Sequence, residues 1–257
     1  MPNPWDIGSA VYLQHLGFKA LATTSAGFAF SRGLPDSVAA VPCDLMLDHI
    51  RDLTAATSLP VNADFQTGYA DEPEGVAANV TRCIATGVAG LSIEDASGSD
   101  AVPLYDFGLA VERIKAARAA IDASGIPVLL TARCEAWLVA EPEPLRVALE
   151  RLVAFAEAGA DCLYAPGVSQ PDEIEAIVKA VSPRPVNVLV SRFNSDLTVT
   201  RLADLGVRRI SVGSAMACVA WGGFMHAART IVESGSFRAF GDAAAFDEIN
   251  DLFRQRD

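Results

Sequence analysis

Short apolar segments rich in β-branched residues alternate with amphipathic stretches along nearly the whole chain, and that repetition leaves few folds open. Strands are predicted at 19–24, 60–65, 90–94, 127–133, 162–165, 186–190 and 209–212. Helices are predicted between and after them at 9–16, 44–57, 73–86, 106–123, 144–158, 171–180, 198–205 and 214–233. Several helical patterns stop at a glycine followed by the next strand, at Gly87, Gly125, Gly159 and Gly206, where glycine supplies the left-handed residue that ends a helix. Seven or eight such repeats in 257 residues is the rhythm of an α/β fold of the (β/α)8 TIM-barrel type. The competing fold, a doubly wound open sheet, draws no support from a GxGxxG or P-loop pattern. Met1-Pro2-Asn3 stands where a barrel's first strand belongs, so that strand is either very short or missing. We expect one barrel domain over 1–257, with a C-terminal helical extension from about residue 237. In that tail Phe240, Phe246, Ile249 and Phe253 are available for burial against the barrel's base or a partner subunit.

The composition narrows the partners. Hydrophobic residues make up 51% and charged residues 20%, an ordinary globular balance, but 32 acids against 20 bases give a net charge of −12. Nucleic acid or an anionic membrane would call for clustered Lys and Arg, so neither is expected as a partner. The five cysteines are scattered without a CxxC pair, which points to reduced thiols rather than a disulfide framework or structural zinc. With no charged-then-apolar leader and no apolar run long enough to span a bilayer, the expected location is cytoplasmic.

The chemistry-bearing residues gather at strand ends. PVNADFQTGY and GLSIED each end an apolar run in carboxylates, so Asp64 and Glu94 are expected as neighbours on the carboxyl rim of the sheet. Acids that meet there repel unless a proton or cation lies between them, and a hard divalent metal is the first expectation. The strand at 19–24 runs into TTSAGFAFSRGLPD, where Ser25, Ala26 and Gly27 form a small-residue loop followed by Asp36. Small residues let backbone N–H groups approach an oxyanion or carboxylate, although an ordinary βα loop has the same composition. Arg133 ends the strand at 127–133, where its planar fork suits either a substrate carboxylate or an ion pair with Glu94 or Glu135. Asn187 sits amid PVNVLV, placed either for a substrate oxygen or for a neighbouring strand.

Taken together, NPWDIGSA, GFKALATTSAG, the LPD at Asp36, DFQTGYA, SIED, the TAR ending at Arg133, EAGADCLYAPG and GVRRISVGSA resemble the landmarks of the isocitrate lyase and phosphoenolpyruvate mutase superfamily, in its order and spacing. The resemblance covers almost the whole chain. It implies a barrel that binds Mg²⁺, or Mn²⁺ in its place, together with a small 2-oxo acid or dicarboxylate, and that breaks or makes a bond beside the carbonyl through an enolate. By position, Asp64 matches the acid that binds metal directly, while Asp36 and Glu94 match acids that reach it through waters. Gln66 stands in the same metal motif, where relatives have a second carboxylate. Ser25, Ala26 and Gly27 match the loop that holds the substrate carboxylate, and Arg133 matches the arginine that clamps the 2-oxo acid. Asn187 and Thr23, the latter where relatives place an aromatic residue, complete the expected substrate site, with Arg133 and Asp64 as the catalytic pair.

Other departures bear on the reaction. The segment after Glu94, DASGSDAVPLYDFG, lacks the KKCGH motif of isocitrate and methylisocitrate lyases, and Pro166 replaces a glutamate or histidine. His15, His49 and His226 fall in helices and are expected to be structural, as is Cys134, which alternation turns away from Arg133. Tyr69 and Tyr105 lie in rim loops, and Trp137 is placed for the pocket mouth. The leading expectation is a Mg²⁺-dependent carbon–carbon lyase of this superfamily, with weak isocitrate lyase-like turnover. The alternatives are an oxaloacetate decarboxylase or a carbon–phosphorus hydrolase or mutase, and a non-catalytic 2-oxo acid binder. A homodimer or homotetramer is expected, because such relatives exchange a C-terminal helix.

Overall fold

A computed structural model of the protein describes residues 1–192, 194 and 197–254. Seven parallel strands run in sequence order around a nearly closed barrel: β1 Leu21–Ala22, β2 Val61–Asp64, β3 Gly90–Glu94, β4 Leu129–Arg133, β5 Cys162–Tyr164, β6 Val186–Leu189 and β7 Arg209–Ser211. The gap between β7 and β1 is filled by the first residues of the chain. The Met1 amine donates to Ile210 O at 2.8 Å, Pro2 O accepts from Ala22 N at 3.0 Å, and Asn3 bridges Thr23 O to the amides of Val212 and Gly213. Met1–Asn3 therefore takes the place of the short first strand. The fold is a TIM-like α/β barrel.

The helices α1 Ile7–His15, α3 Cys43–Ala56, α4 Pro73–Ile84, α5 Phe107–Ser124, α6 Pro144–Glu157, α7 Pro171–Val181, α8 Val199–Asp204 and α9 Ala215–Ser234 fall within two residues of their predicted bounds. Gly87, Gly125, Gly159 and Gly206 all adopt positive φ, so they end helices as their spacing implies. One element was not foreseen. Ser25 to Gly27, expected as a loop, form the first turn of α2 Ser25–Ser31, which the Thr24 hydroxyl caps by accepting from Gly27 N. The tail is also less regular than expected, with a 3-10 turn at Arg238–Asp242 and a helix α10 at Phe246–Arg254; residues 255–257 of the expected helix lie outside the described residues. Phe240, Phe246, Ile249 and Phe253 all stay largely exposed in the chain on its own.

Strand alternation sets the position of the site. Ala63, Leu91, Ile93, Leu130, Ala132, Leu163, Val186 and Val188 are buried in the main core together with apolar faces of the helices. The intervening residues, Asn62, Asp64, Ser92, Arg133, Tyr164, Asn187, Arg209 and Ser211, line a cavity inside the barrel. Barrel interiors are ordinarily packed with branched apolar side chains. Here period two places the apolar half outside and a polar half inside, which gives a cavity able to receive a charged ligand.

Candidate active site

The β3–β4 register sets Glu94 beside Arg133, and β2 brings Asp64 to the same rim. Arg133 gathers three carboxylates: Nη1 lies 2.7 Å from Asp64, Nη2 3.2 Å from Glu94 and 2.8 Å from Glu135, and Nε donates to Glu135 at 2.9 Å. Its side chain is 12% exposed, so the guanidinium is inside the barrel mouth rather than in bulk solvent. Of the ion pairs expected for Arg133, those with Glu94 and Glu135 are both present, and Asp64 adds a third. Asp36 completes the group, accepting from Gln66 Nε2 at 3.2 Å and lying close enough to Asp64 for mutual repulsion.

Four carboxylates against one guanidinium leave this cluster strongly negative. Burial, and then the neighbouring Asp64, push the Asp36 carboxyl above its usual range. Burial also raises Glu94 and Glu135, and repulsion from neighbouring acids adds to a rise that Arg133 only partly offsets. Gln66 Oε1 is buried with no hydrogen-bond partner among the described residues. Excess acid and an orphaned acceptor both fit a hydrated cation. No three acidic, histidine or cysteine side chains converge closely enough to ligate one ion directly among the described residues. Mg²⁺ keeps several waters and takes one or two direct carboxylates, so it is the ion whose needs such a set of acids could meet. Asp64 would hold it directly, since each of its oxygens accepts one hydrogen bond, from Arg133 or from Ser25 N at 2.9 Å, and retains a second lone pair. Asp36, Glu94 and Gln66 would hold it through water.

The expected substrate groups are arranged unequally. Ser25 N is bonded to Asp64 and Gly27 N to Thr24, which among the described residues leaves Ala26 N–H as the open amide of that turn. Thr23 lines the same cavity, and its hydroxyl accepts from Asp64 N at 2.8 Å, so it holds the acid's backbone. Asn187 has both amide ends occupied, accepting from Arg209 Nε at 3.1 Å and donating to Ser211 Oγ at 2.9 Å. Of its two sequence-level alternatives, the bond to a neighbouring strand is the one present.

The remaining candidates fall away from the rim or support it. Cys134 is buried in the helix-facing core, as alternation requires. His49 stacks on Phe28 at 3.8 Å, and burial lowers its pKa to about 4. Trp137 lines a neighbouring cavity with Gly167 and Leu138. Tyr105 donates to Asp71 at 2.6 Å, while the buried Tyr69 hydroxyl has no partner among the described residues.

Two supporting arginines were not found in the sequence. Arg113 of α5, 1% exposed, donates to the carbonyls of Thr67, Ala70 and Asp71. It thereby pins the loop in which Gln66 and Tyr69 hold left-handed backbone at φ 47° and 58°, a strained state for residues other than glycine. Arg151 of α6 pairs with buried Asp95 at 3.1 Å, and Asp95 in turn accepts from Glu135 N at 2.8 Å. Each sits in an amphipathic helix at positions that read as ordinary solvent-facing charge, and only the fold shows that they turn inward.

Comparison with known proteins agrees with this architecture. The phosphoenolpyruvate phosphomutase family model matches residues 1–232. An uncharacterized protein of Mycobacterium tuberculosis H37Rv is 32% identical over 231 residues, covering 90% of this chain and 83% of the relative. The 2-methylisocitrate lyase of Escherichia coli K12 is 34% identical over 166 residues, which span 63% of this chain and 55% of that enzyme. Among solved structures, a candidate lyase/mutase from Burkholderia cenocepacia J2315 superposes with a TM-score of 0.95 at 46% identity, covering all of this chain and 91% of the other. Oxaloacetate acetylhydrolase in complex with the product oxalate superposes with a TM-score of 0.85 at 27% identity, covering 98% of this chain and 86% of that one. The chain belongs to the phosphoenolpyruvate phosphomutase family.

Proposed function

We propose that this protein is a divalent-metal-dependent lyase that binds a small 2-oxo acid or dicarboxylate and breaks a carbon–carbon bond next to its carbonyl. The observation that carries this reading is the cluster of Asp36, Asp64, Glu94 and Glu135 around the single guanidinium of Arg133 at the carboxyl rim. A cation there offsets the acid excess and supplies Lewis-acid stabilisation of the enolate charge that bond cleavage releases. Ala26 N–H and the Ser25 turn receive the substrate carboxylate. Arg133 lies against the reacting centre and offers a second positive charge there. Asp36, Glu94 and Glu135, whose affinity for protons is raised, hold the site's exchangeable protons.

Hydrolytic or decarboxylating cleavage of oxaloacetate is the second reading. It is favoured by the segment after Glu94, which carries no cysteine, lysine or histidine between Asp95 and Gly108 to serve as a loop acid. Incubation with Mg²⁺ and isocitrate, methylisocitrate, oxaloacetate or phosphonopyruvate separates the cases by product. Glyoxylate or pyruvate from a hydroxy tricarboxylate supports the first reading, and oxalate with acetate, or pyruvate with CO₂, from oxaloacetate supports the second. No turnover of any of the four refutes both.

The same reading includes self-association. Helix α9 buries only Ala217 and Thr230 within the chain and exposes Val219, Trp221, Phe224 and Val232, an apolar surface that water disfavours. A homodimer or homotetramer would cover it. Sedimentation as a monomer at micromolar concentration would count against that assignment.

A further inference from the structure

Arg209 opens β7 and lines the floor of a cavity of about 180 Å³ whose upper wall includes Ser25, Ala26, Asp64 and Arg133. Its three hydrogen bonds all go to neutral acceptors: Nε to Asn187 Oδ1 at 3.1 Å, Nη1 to Asn62 Oδ1 at 3.4 Å and Nη2 to Thr131 Oγ1 at 2.8 Å. Among the described residues no carboxylate lies within ion-pair distance of it, whereas Arg133 in the same cavity has three. A guanidinium carries five N–H donors, so Arg209 keeps two to offer, one on each terminal nitrogen of its planar fork. Amide and hydroxyl partners fix the plane of that fork without neutralising it. An uncompensated charge inside a barrel is costly, and an anionic ligand group removes that cost. The cavity is therefore polarised along its depth, with surplus acid and its proposed cation at the rim and surplus base on the floor.

We infer that Arg209 forms a second anion subsite, which takes the distal carboxylate of a 2-oxo dicarboxylate whose 2-oxo acid end lies at the rim. The inference rests on the proposed 2-oxo acid site and narrows its ligand to diacids. Asn187 acts here as a positioning residue, because its Oδ1 holds Arg209 Nε while its Nδ2 is anchored on Ser211.

The test compares ligands matched in chain length by thermal-shift titration in Mg²⁺: 2-oxoglutarate against 2-oxovalerate, and oxaloacetate against 2-oxobutyrate. The wild-type chain is expected to prefer the diacid of at least one pair by about tenfold or more, the effect of one charge-assisted hydrogen bond. Arg209→Gln, which can still donate to a neighbouring amide, should erase that preference and leave the monoacid Kd within about twofold of wild type. Arg209→Lys, which keeps the charge but loses the fork, should retain a reduced diacid preference, and it serves as the readout if the glutamine variant fails to fold. Monoacid binding with no diacid preference in wild type would overturn the inference while leaving the 2-oxo acid site standing. Loss of monoacid and diacid binding in equal measure in Arg209→Gln, or an unchanged preference in Arg209→Lys, would do the same. Failure of every 2-oxo acid to bind wild type would overturn the underlying reading and the subsite with it.

Discussion

Replacing Glu94 with glutamine should make the metal-free protein more stable at pH 8, although it removes half of an ion pair. The Glu94 side chain is 15% exposed, and its carboxyl is pushed up from 4.5 to about 8, first by burial and then by Glu135, Asp64 and Asp36, against the opposing pull of Arg133. A carboxyl whose folded pKa is raised contributes stability that is complete below its unfolded pKa and is lost as pH rises through the folded one. The loss for Glu94 therefore runs from near pH 4.5 to about pH 8. At about 1.4 kcal/mol per pH unit the upper limit is about 4–5 kcal/mol, and because Glu135 and Asp36 re-titrate in response we expect on the order of 2 kcal/mol. Arg133 keeps Asp64 and Glu135 as partners in the variant, so its charge remains paired. Urea unfolding in EDTA at pH 5 and pH 8 measures the effect. Glu94→Gln should match wild type within about 0.5 kcal/mol at pH 5, exceed it by about 2 kcal/mol at pH 8, and gain less from added Mg²⁺. A variant destabilised equally at both pH values would refute the argument that surplus negative charge burdens this site.

Other perturbations follow from the same geometry. Arg133→Met removes the guanidinium that pairs with Asp64, Glu94 and Glu135 and should cost about 3–5 kcal/mol in urea unfolding at pH 7.5. Arg133→Lys keeps the charge but loses the bidentate fork, and should weaken 2-oxo acid binding by about 1–3 kcal/mol in calorimetry; unchanged affinity would confine Arg133 to structure. Arg113→Met leaves the carbonyls of Thr67, Ala70 and Asp71 without their donor and should cost about 2–4 kcal/mol, measured as a fall in the urea midpoint.

Much of this architecture was legible in the sequence because its causes are local. Glycines after helices, period-two strands and the carboxylates of NAD and IED each act within a few residues, and they alone place Asp64, Glu94 and Arg133 on one rim. The rest depended on distance in the chain. Nothing near Thr23 says that its hydroxyl will meet Asp64 N, and nothing near Asn187 says that both ends of its amide will be taken by β7. The SAG turn read as a loop because three small residues carry little helical signal, whereas the Thr24 cap and the burial of Phe28 made it a helix. Arg209 lies in GVRRIS, where two adjacent arginines look like surface charge. Period two turns one of them into the barrel.

The central claim is that the acids around Arg133 seat one hydrated divalent cation through Asp64. Titration of the metal-free protein with Mg²⁺ in a calorimeter, wild type beside Asp64→Ala, tests it directly. We predict one bound ion per chain for wild type and no measurable binding for the variant. Equal Mg²⁺ affinity in the two proteins, or none in wild type, would contradict it.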